Sequence, residues 1–128
     1  MGEQEKRNME RVEHWVWTWN NEVQRMVDEC YAEDCEVTDM FRKRTFYGRE
    51  ELRAIEEQMI GLDATRSMKI NKMVASGDTV AVELDASFGD MVVQNCVFLT
   101  FNDEGLIKTD HSYGNDPSGL AENDPREN

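Results

Sequence analysis

Basic residues, cysteines and prolines are scarce in this sequence. Its 14 Lys and Arg residues stand against 27 Asp and Glu residues, which gives a formal net charge of -13 over 128 residues. Such an acidic balance argues against a surface for nucleic acid or anionic membranes, and it favours neutral or cationic ligands. We therefore expect no nucleic-acid partner and no membrane association.

The three cysteines, Cys30, Cys35 and Cys96, form an odd set without a CxxC pair. They are typical of buried small side chains or free thiols in a reducing compartment, so we expect a cytoplasmic protein. Residues 1–13 are charged and contain no apolar run, which argues against a signal peptide and a membrane span. No recognised metal-ligand spacing is present, so no metal site is predicted.

The length predicts a single domain, which we place at residues 1–113. A chain of this size buries roughly two thirds of its unfolded surface and needs no disulfide to fold. Residues 114–128 are polar and contain both prolines, so they are predicted to form a disordered tail.

Three amphipathic helices are predicted from the spacing of apolar residues. The first carries a stripe at three-and-four spacing, formed by Met9, Val12, Trp15, Val16 and Trp19. Asn21 can cap a second helix, whose apolar face holds Val23, Met26, Val27 and Cys30. A third helix follows Gly48 and carries Leu52, Ile55, Met59 and Ile60. The tryptophans suit either the core or the wall of a ligand cavity, because an indole combines an apolar face with one N–H donor.

The remaining elements are predicted strands. A short strand ends at Asp39, and alternating or apolar segments follow at 66–75, 79–88, 91–101 and 106–113. The segment at 91–101 is almost continuously apolar, which predicts a central strand, whereas the basic segment from Phe41 to Gly48 predicts a solvated loop. Helices segregated from a sheet define an α+β fold. A curved antiparallel or mixed sheet wrapped around the N-terminal helices would form a cone with an interior pocket.

Asp39 is the most informative single residue. Side chains alternate along a strand, so Cys35, Val37 and Asp39 share the face that should be buried. An ionised carboxylate buried without partners is costly, so such a residue is normally paired, raised in pKa or used in chemistry. The alternative is a structural aspartate that accepts hydrogen bonds from the turn after the strand.

Four segments carry a family resemblance: Trp19-Asn20, Tyr31-Ala32-Glu33-Asp34, Val37-Thr38-Asp39 and Tyr47-Gly48-Arg49-Glu50-Glu51-Leu52-Arg53. They resemble the nuclear transport factor 2-like superfamily, and within it the SnoaL-like polyketide cyclases and ketosteroid isomerases. The resemblance covers residues 12–113 and implies a cystatin-like α+β barrel. Its motifs mark the fold better than the activity, because this cone hosts isomerases, cyclases, dehydratases, epoxide hydrolases and non-enzymatic binders.

The resemblance implies roles for three residues of the cone. Asp39 falls where the steroid isomerases keep their general-base aspartate. Trp15 falls where they keep the oxyanion-hole tyrosine, and Val97 where they keep a protonated aspartate. Both oxyanion-hole donors therefore differ, and steroid isomerase activity is not expected.

Asp110 on the last predicted strand is a second candidate residue for acid-base catalysis. SnoaL-like cyclases use an acidic residue of that strand as general base, and Asp110 resembles it in position. Strand alternation places Ser112 on the same face as Asp110 and turns His111, a further candidate base, to the other face. Trp19 and Tyr31 are expected to complete the pocket.

These residues lead to a hypothesis of cofactor-free acid-base chemistry on a hydrophobic, carbonyl-bearing small molecule. Asp39 or Asp110 would remove a proton next to the carbonyl, and the other would remain protonated as the acid. The Trp15 N–H or Asn95 would hydrogen-bond the enolate oxygen. No cofactor is expected.

Other functions remain open from the sequence. Two aspartates with a water between them would also suit an epoxide hydrolase or a dehydratase. A non-catalytic binding or assembly domain would use the same cone with a structural Asp39. By analogy with proteins of this fold, the outer face of the sheet around residues 92–98 makes a homodimer the expected assembly.

Overall fold

The chain folds into three helices and six strands, and the third helix lies between the second and third strands. The computed structural model describes residues 2–62 and 65–114, except for the side chains of residues 59–62. The helices are α1 (Glu3–Asn21), α2 (Val23–Cys30) and α3 (Gly48–Leu62). The strands are β1 (Tyr31–Asp39), β2 (Arg44–Tyr47), β3 (Ser67–Ser76), β4 (Thr79–Phe88), β5 (Met91–Phe101) and β6 (Ile107–Tyr113). Apart from Gly114, the predicted tail lies outside the described residues.

The strands form one curved, unclosed mixed sheet in the order β2-β1-β6-β5-β4-β3. Neighbouring strands are antiparallel except β1 and β6, which run parallel. After β2 the chain crosses through α3 to the far edge of the sheet, and the antiparallel series from β3 to β6 then brings β6 beside β1. The predicted α+β architecture is confirmed, and β5 has the predicted interior position between β4 and β6. No helix among the described residues is long and apolar enough to cross a membrane.

The core lies between the helices and the concave face of this sheet. The predicted apolar stripe of α1 is buried through Val12, Trp15 and Trp19. Strand alternation supplies the opposite side, where the buried side chains are Val80, Val82, Leu84, Val97 and Leu99. Any interior site therefore lies between two apolar surfaces, one formed by α1 and the other by the sheet.

The predicted loop from Phe41 to Gly48 is a turn only as far as Lys43, and the prediction is wrong for the residues that follow. Its second half forms β2, which pairs with β1 in antiparallel register, with Asp39 opposite Arg44. Phe46 is buried, and the hydroxyl groups of Thr38 and Thr45 are hydrogen-bonded across the strands at 2.8 Å. The sequence did not indicate this edge strand, because its segment is rich in basic residues and only Phe46 of the strand is buried.

The predicted cap of α2 is also wrong, although both N-terminal helices are present. Asn21 remains in α1, where its side-chain amide donates to the Trp17 carbonyl at 2.8 Å. The break falls at Glu22, whose backbone has a non-helical φ of -150° and whose side chain makes no capping hydrogen bond.

Asn20 ties the end of α1 to the start of β3. Its amide donates to the Met68 carbonyl at 2.9 Å and accepts the Met68 N–H at 2.8 Å, so it pairs with β3 as a strand would. We expect Asn20→Ala to lower the free energy of unfolding by about 1–3 kcal/mol, because both backbone groups lose their partner. Chemical denaturation measures this loss. Asn21→Ala, which removes one exposed contact, should stay within about 0.5 kcal/mol of the parent protein.

Candidate functional site

A cavity of about 190 Å³ lies between the helices and the concave face of the sheet. Its walls are mainly apolar and aromatic, with side chains from Trp15, Trp19, Met26, Val37, Phe46, Leu52, Ile55, Met68, Leu84, Ala86, Phe88, Val93 and Val97. Polar groups come from Tyr31, Thr38, Asp39, Glu56, Asn95, Asp110 and Ser112. A small number of polar groups in an apolar cavity is typical of a small-molecule site.

Asp110 lies at the centre of a hydrogen-bonded chain that spans three elements. Its side chain is 3% exposed, and its Oδ2 accepts the Tyr31 hydroxyl proton at 2.7 Å. Ser112 donates its hydroxyl to Asp110 Oδ1 at 3.1 Å, and Trp15 donates its indole Nε1–H to the Tyr31 oxygen at 2.9 Å. Both carboxyl oxygens are thereby oriented by donors, while each retains a lone pair that can accept a proton.

Burial raises the pKa of Asp110 to about 6, and the hydrogen bonds from Tyr31 and Ser112 limit the rise. The pKa of Tyr31 is raised well above its usual value, because its hydroxyl is buried beside Asp110. Tyr31 therefore stays a neutral donor at any physiological pH. Asp110 is mostly ionised at neutral pH yet far more basic than an exposed aspartate, which suits a general base.

Asp39 has a different environment at the same cavity. Its Oδ1 accepts the backbone N–H groups of Phe41 and Arg42, both at 3.0 Å, and its Oδ2 lies 3.2 Å from the Arg42 guanidinium. This is the turn-capping arrangement that the sequence left as an alternative. Asp39 also lines the cavity, so the structure brings both predicted aspartates to one site. In the parallel β1-β6 register, Asp39 lies opposite Ser112, two residues beyond Asp110.

The other predicted residues divide into two groups. Six of them line the cavity: Trp15, Trp19, Tyr31, Asn95, Val97 and Ser112. His111 does not, since it lies opposite Phe98 on the outer face, as its parity predicts. The Trp15 N–H is already donated to Tyr31, so Trp15 does not provide the free enolate donor that the sequence suggested.

The side-chain amide of Asn95 lines the same cavity as the hydrogen-bonded groups around Asp110. Its Oδ1 is buried and has no hydrogen-bond partner within the described part of the chain. Gly114 is in close contact, because a Cβ atom at that position would lie 2.7 Å from Asn95 Oδ1. The absence of a side chain on Gly114 thus leaves room for the amide, which can bind a polar atom of a ligand.

Glu56 is a cavity carboxyl group that the sequence interpretation missed. It is 8% exposed, and its Oε2 accepts the Trp19 indole N–H at 3.2 Å. Burial raises its pKa to about 7; Arg66 and the Trp19 hydrogen bond lower it, and the nearby Asp110 raises it slightly. The sequence contains an indication of this role, because Glu56 follows Leu52 by four residues and therefore lies on the apolar stripe of α3.

The described residues contain no group of three or more His, Cys, Asp and Glu side chains placed to hold a metal ion. The chemistry that this site can perform with its own side chains is proton transfer. It offers two buried carboxyl groups with raised pKa values, a neutral phenol and a free amide around an apolar cavity.

Three solved structures with the same fold illustrate the proteins to which this chain is similar. A protein from Jannaschia assigned as a SnoaL-like polyketide cyclase has a TM-score of 0.78 and 13% identity, with 90% of each chain covered. A Kribbella flavida protein assigned as a ketosteroid isomerase has a TM-score of 0.77 and 17% identity, covering 87% of this chain and 79% of that one. The epoxide hydrolase/cyclase-like enzyme SalBIII of salinomycin pyran-ring formation has a TM-score of 0.77 and 20% identity, covering 87% and 92%.

The sequence itself gives the family. A search of curated proteins found no significant match. The profile of the SnoaL-like domain, however, matches residues 12–109, which extend from the middle of α1 to the first residues of β6 and end one residue before Asp110. This chain therefore belongs to the SnoaL-like domain family of the nuclear transport factor 2-like superfamily.

Proposed function

We propose that the cavity is the active site of a cofactor-free acid-base enzyme, and that its substrate is a small, hydrophobic carbonyl compound. Asp110 removes a proton from the carbon next to the carbonyl group and later returns it, to the same carbon or to another. The observation that carries this proposal is the pair formed by Asp110 and Tyr31, a buried carboxyl group whose pKa is near 6 and whose Oδ2 is held at 2.7 Å by a neutral phenol.

Burial and hydrogen bonding act on Asp110 in opposite directions, and both are useful for catalysis. The apolar walls make the carboxylate a stronger base than it would be in water. The donors Tyr31 and Ser112 keep it ionised at neutral pH and fix its direction. A base positioned in this way accelerates proton transfer by about 10²- to 10⁴-fold.

Asp39 is the weaker candidate for the same role. Its carboxylate is engaged by two backbone N–H groups and by Arg42 at the end of β1. Accepting a proton would remove the negative charge that strengthens these hydrogen bonds and the contact with Arg42. We assign Asp39 to holding the β1-β2 turn at the edge of the cavity, and proton transfer to Asp110.

Hydrogen-deuterium exchange tests this proposal without knowledge of the natural substrate. The protein is incubated in D₂O with small cyclic ketones such as cyclohexanone, and loss of the α-proton signal is followed by NMR. We expect exchange above the buffer rate, with a rate that rises as the pH passes about 6 and Asp110 ionises. Asp39→Asn should keep the rate within about tenfold. Exchange at the buffer rate with every ketone, from a folded protein, would overturn the proposal.

Epoxide opening is a second candidate function. Its support is that Asp39 and Asp110 line one cavity from adjacent strands, and that SalBIII, described as epoxide hydrolase/cyclase-like, has the same fold. Two carboxyl groups could then activate a water molecule and protonate the epoxide oxygen. Conversion of cyclohexene oxide to its diol, lost in both Asp39→Asn and Asp110→Asn, would favour this function. Loss in Asp110→Asn alone would exclude Asp39 from the epoxide reaction, and no conversion by the parent protein would return the assignment to ketone chemistry.

A further inference from the structure

Two buried carboxyl groups face the same cavity from different walls. Glu56 reaches it from α3 and Asp110 from β6, and both side chains are less than 10% exposed. Each carboxyl group is positioned by a tryptophan of α1. Trp19 donates directly to Glu56 at 3.2 Å, whereas Trp15 acts on Asp110 through the Tyr31 hydroxyl.

The substrate carbonyl oxygen requires a donor in this cavity, and the Asn95 amide can donate a hydrogen bond to it but cannot transfer a proton. Proton removal next to a carbonyl places negative charge on its oxygen, and a donor aimed at that oxygen stabilises the transition state. The side chain of Val97 has no hydrogen-bond donor, and the Trp15 N–H is already donated to the Tyr31 hydroxyl oxygen. Among the described residues, Trp19 is the hydrogen-bond partner of Glu56, so a protonated Glu56 keeps its own hydroxyl proton available to a ligand.

We propose that Glu56 is a second catalytic residue, which in its protonated form donates a hydrogen bond, and then its proton, to the carbonyl oxygen of the substrate. This assignment rests on the proposed function and narrows its substrate to an uncharged ketone or related carbonyl compound. The oxygen would lie toward α3, and the carbon that loses its proton would lie toward Asp110 on β6.

Protons and electrons balance over the cycle. As the C–H bond breaks, Asp110 takes the proton, the electron pair forms a carbon-carbon double bond, and the carbonyl oxygen takes the proton of Glu56. The enol then stands between a protonated Asp110 and an ionised Glu56. In the second half, Glu56 removes the enol proton as the carbonyl reforms, and Asp110 returns its proton to carbon. Both residues end in their starting states.

The surroundings of Glu56 support the required protonation states. The charged or titratable groups that act on it are Arg66, which precedes β3, Asp110 on β6, and Tyr31 on β1; Trp19 on α1 is its neutral donor. Burial dominates and raises the pKa of Glu56 to about 7, against about 6 for Asp110. Near pH 6.5, therefore, Asp110 is mainly a base and Glu56 mainly an acid.

The pH dependence of ketone binding tests the role of Glu56 independently of turnover. Cyclohexanone does not titrate, and its binding can be followed through the indole N–H signals of Trp15 and Trp19, with the half-exposed Trp17 as an internal reference. We expect the affinity to fall about tenfold as the pH rises from 6 to 8.5, because ionised Glu56 cannot donate. Glu56→Gln has a permanent donor, so this fall should disappear. The neighbouring exposed Glu57→Gln should behave as the parent protein.

The outcomes separate this inference from the function on which it rests. Binding whose pH dependence between 6 and 8.5 is the same in Glu56→Gln and in the parent would overturn the role of Glu56 and leave that of Asp110. The absence of this fall in the parent would do the same, even if the variant does not fold. No binding of cyclohexanone or larger cyclic ketones at any pH would overturn the carbonyl substrate class, and with it both proposals.

Discussion

Asp110→Asn should lower the rate of ketone α-proton exchange by about 10²- to 10⁴-fold, since an amide cannot accept the proton. The substitution preserves shape, because the Asn carbonyl can accept the Tyr31 hydroxyl and its amide can donate to Ser112. The loss should therefore appear in the rate while the fold remains intact. Asp103→Asn, in the exposed turn before β6, is the matched control and should exchange at the parent rate.

The same variant should become relatively more stable as the pH rises. The pKa of Asp110 in the folded protein, about 6, lies above its ordinary value of 3.8. Its contribution to stability is thus fully present below pH 3.8 and is lost as the pH rises through 6. Asparagine has no such loss, so between pH 4 and pH 8 the difference in unfolding free energy should move in favour of the variant by about 2–3 kcal/mol. A pH-independent difference would contradict a buried Asp110 whose pKa is raised.

The second large effect is expected from Tyr31→Phe. This substitution removes the acceptor of the Trp15 N–H and the donor to Asp110 Oδ2, both inside the core. We expect a loss of about 1–3 kcal/mol in unfolding free energy for each unpaired group, with the larger loss at pH 8, where Asp110 is ionised. Denaturation at pH 5 and pH 8 measures this difference. Tyr47→Phe, at a 59% exposed site, should change the stability little.

Tyr31→Phe should also move the pH profile of exchange. The Tyr31 hydrogen bond lowers the pKa of Asp110, so its removal should raise that pKa further and shift the rising limb of the profile above pH 6. A purely structural tyrosine would lower the amount of folded protein without shifting the limb. An unchanged limb in the folded variant would therefore contradict the positioning role of Tyr31.

Much of the fold was predictable because its apolar periodicity is strong. Trp15 and Trp19 recur at helical spacing, and Val80, Val82 and Leu84 alternate along β4, so their burial follows from the sequence. The errors lie where local rules compete with tertiary contacts. Asn21 has the chemistry of a cap yet stays within α1, and the edge strand β2 contributes one core residue from a basic segment.

The site was predictable in part for the same reasons. Strand parity placed Asp110 and Ser112 inside and His111 outside. Parity could not show that the Asp39 carboxylate folds back onto its own turn, because that depends on the path of the chain after β1. Nor did it show Glu56, whose significance depends on the cavity between α3 and β6. A charged residue on an apolar helical stripe is the sequence signal for such a group.

Carboxyl-carbon NMR titration of Asp110 reports directly on the protonation of the proposed base. We expect Asp110, identified by the signal lost in Asp110→Asn, to titrate near pH 6, and its titration to move upward in Tyr31→Phe. Together these would establish a buried carboxylate that is held ready for proton transfer. Titration at the ordinary value of 3.8, unaffected by Tyr31→Phe, would contradict the assignment of Asp110 as the base of this cavity.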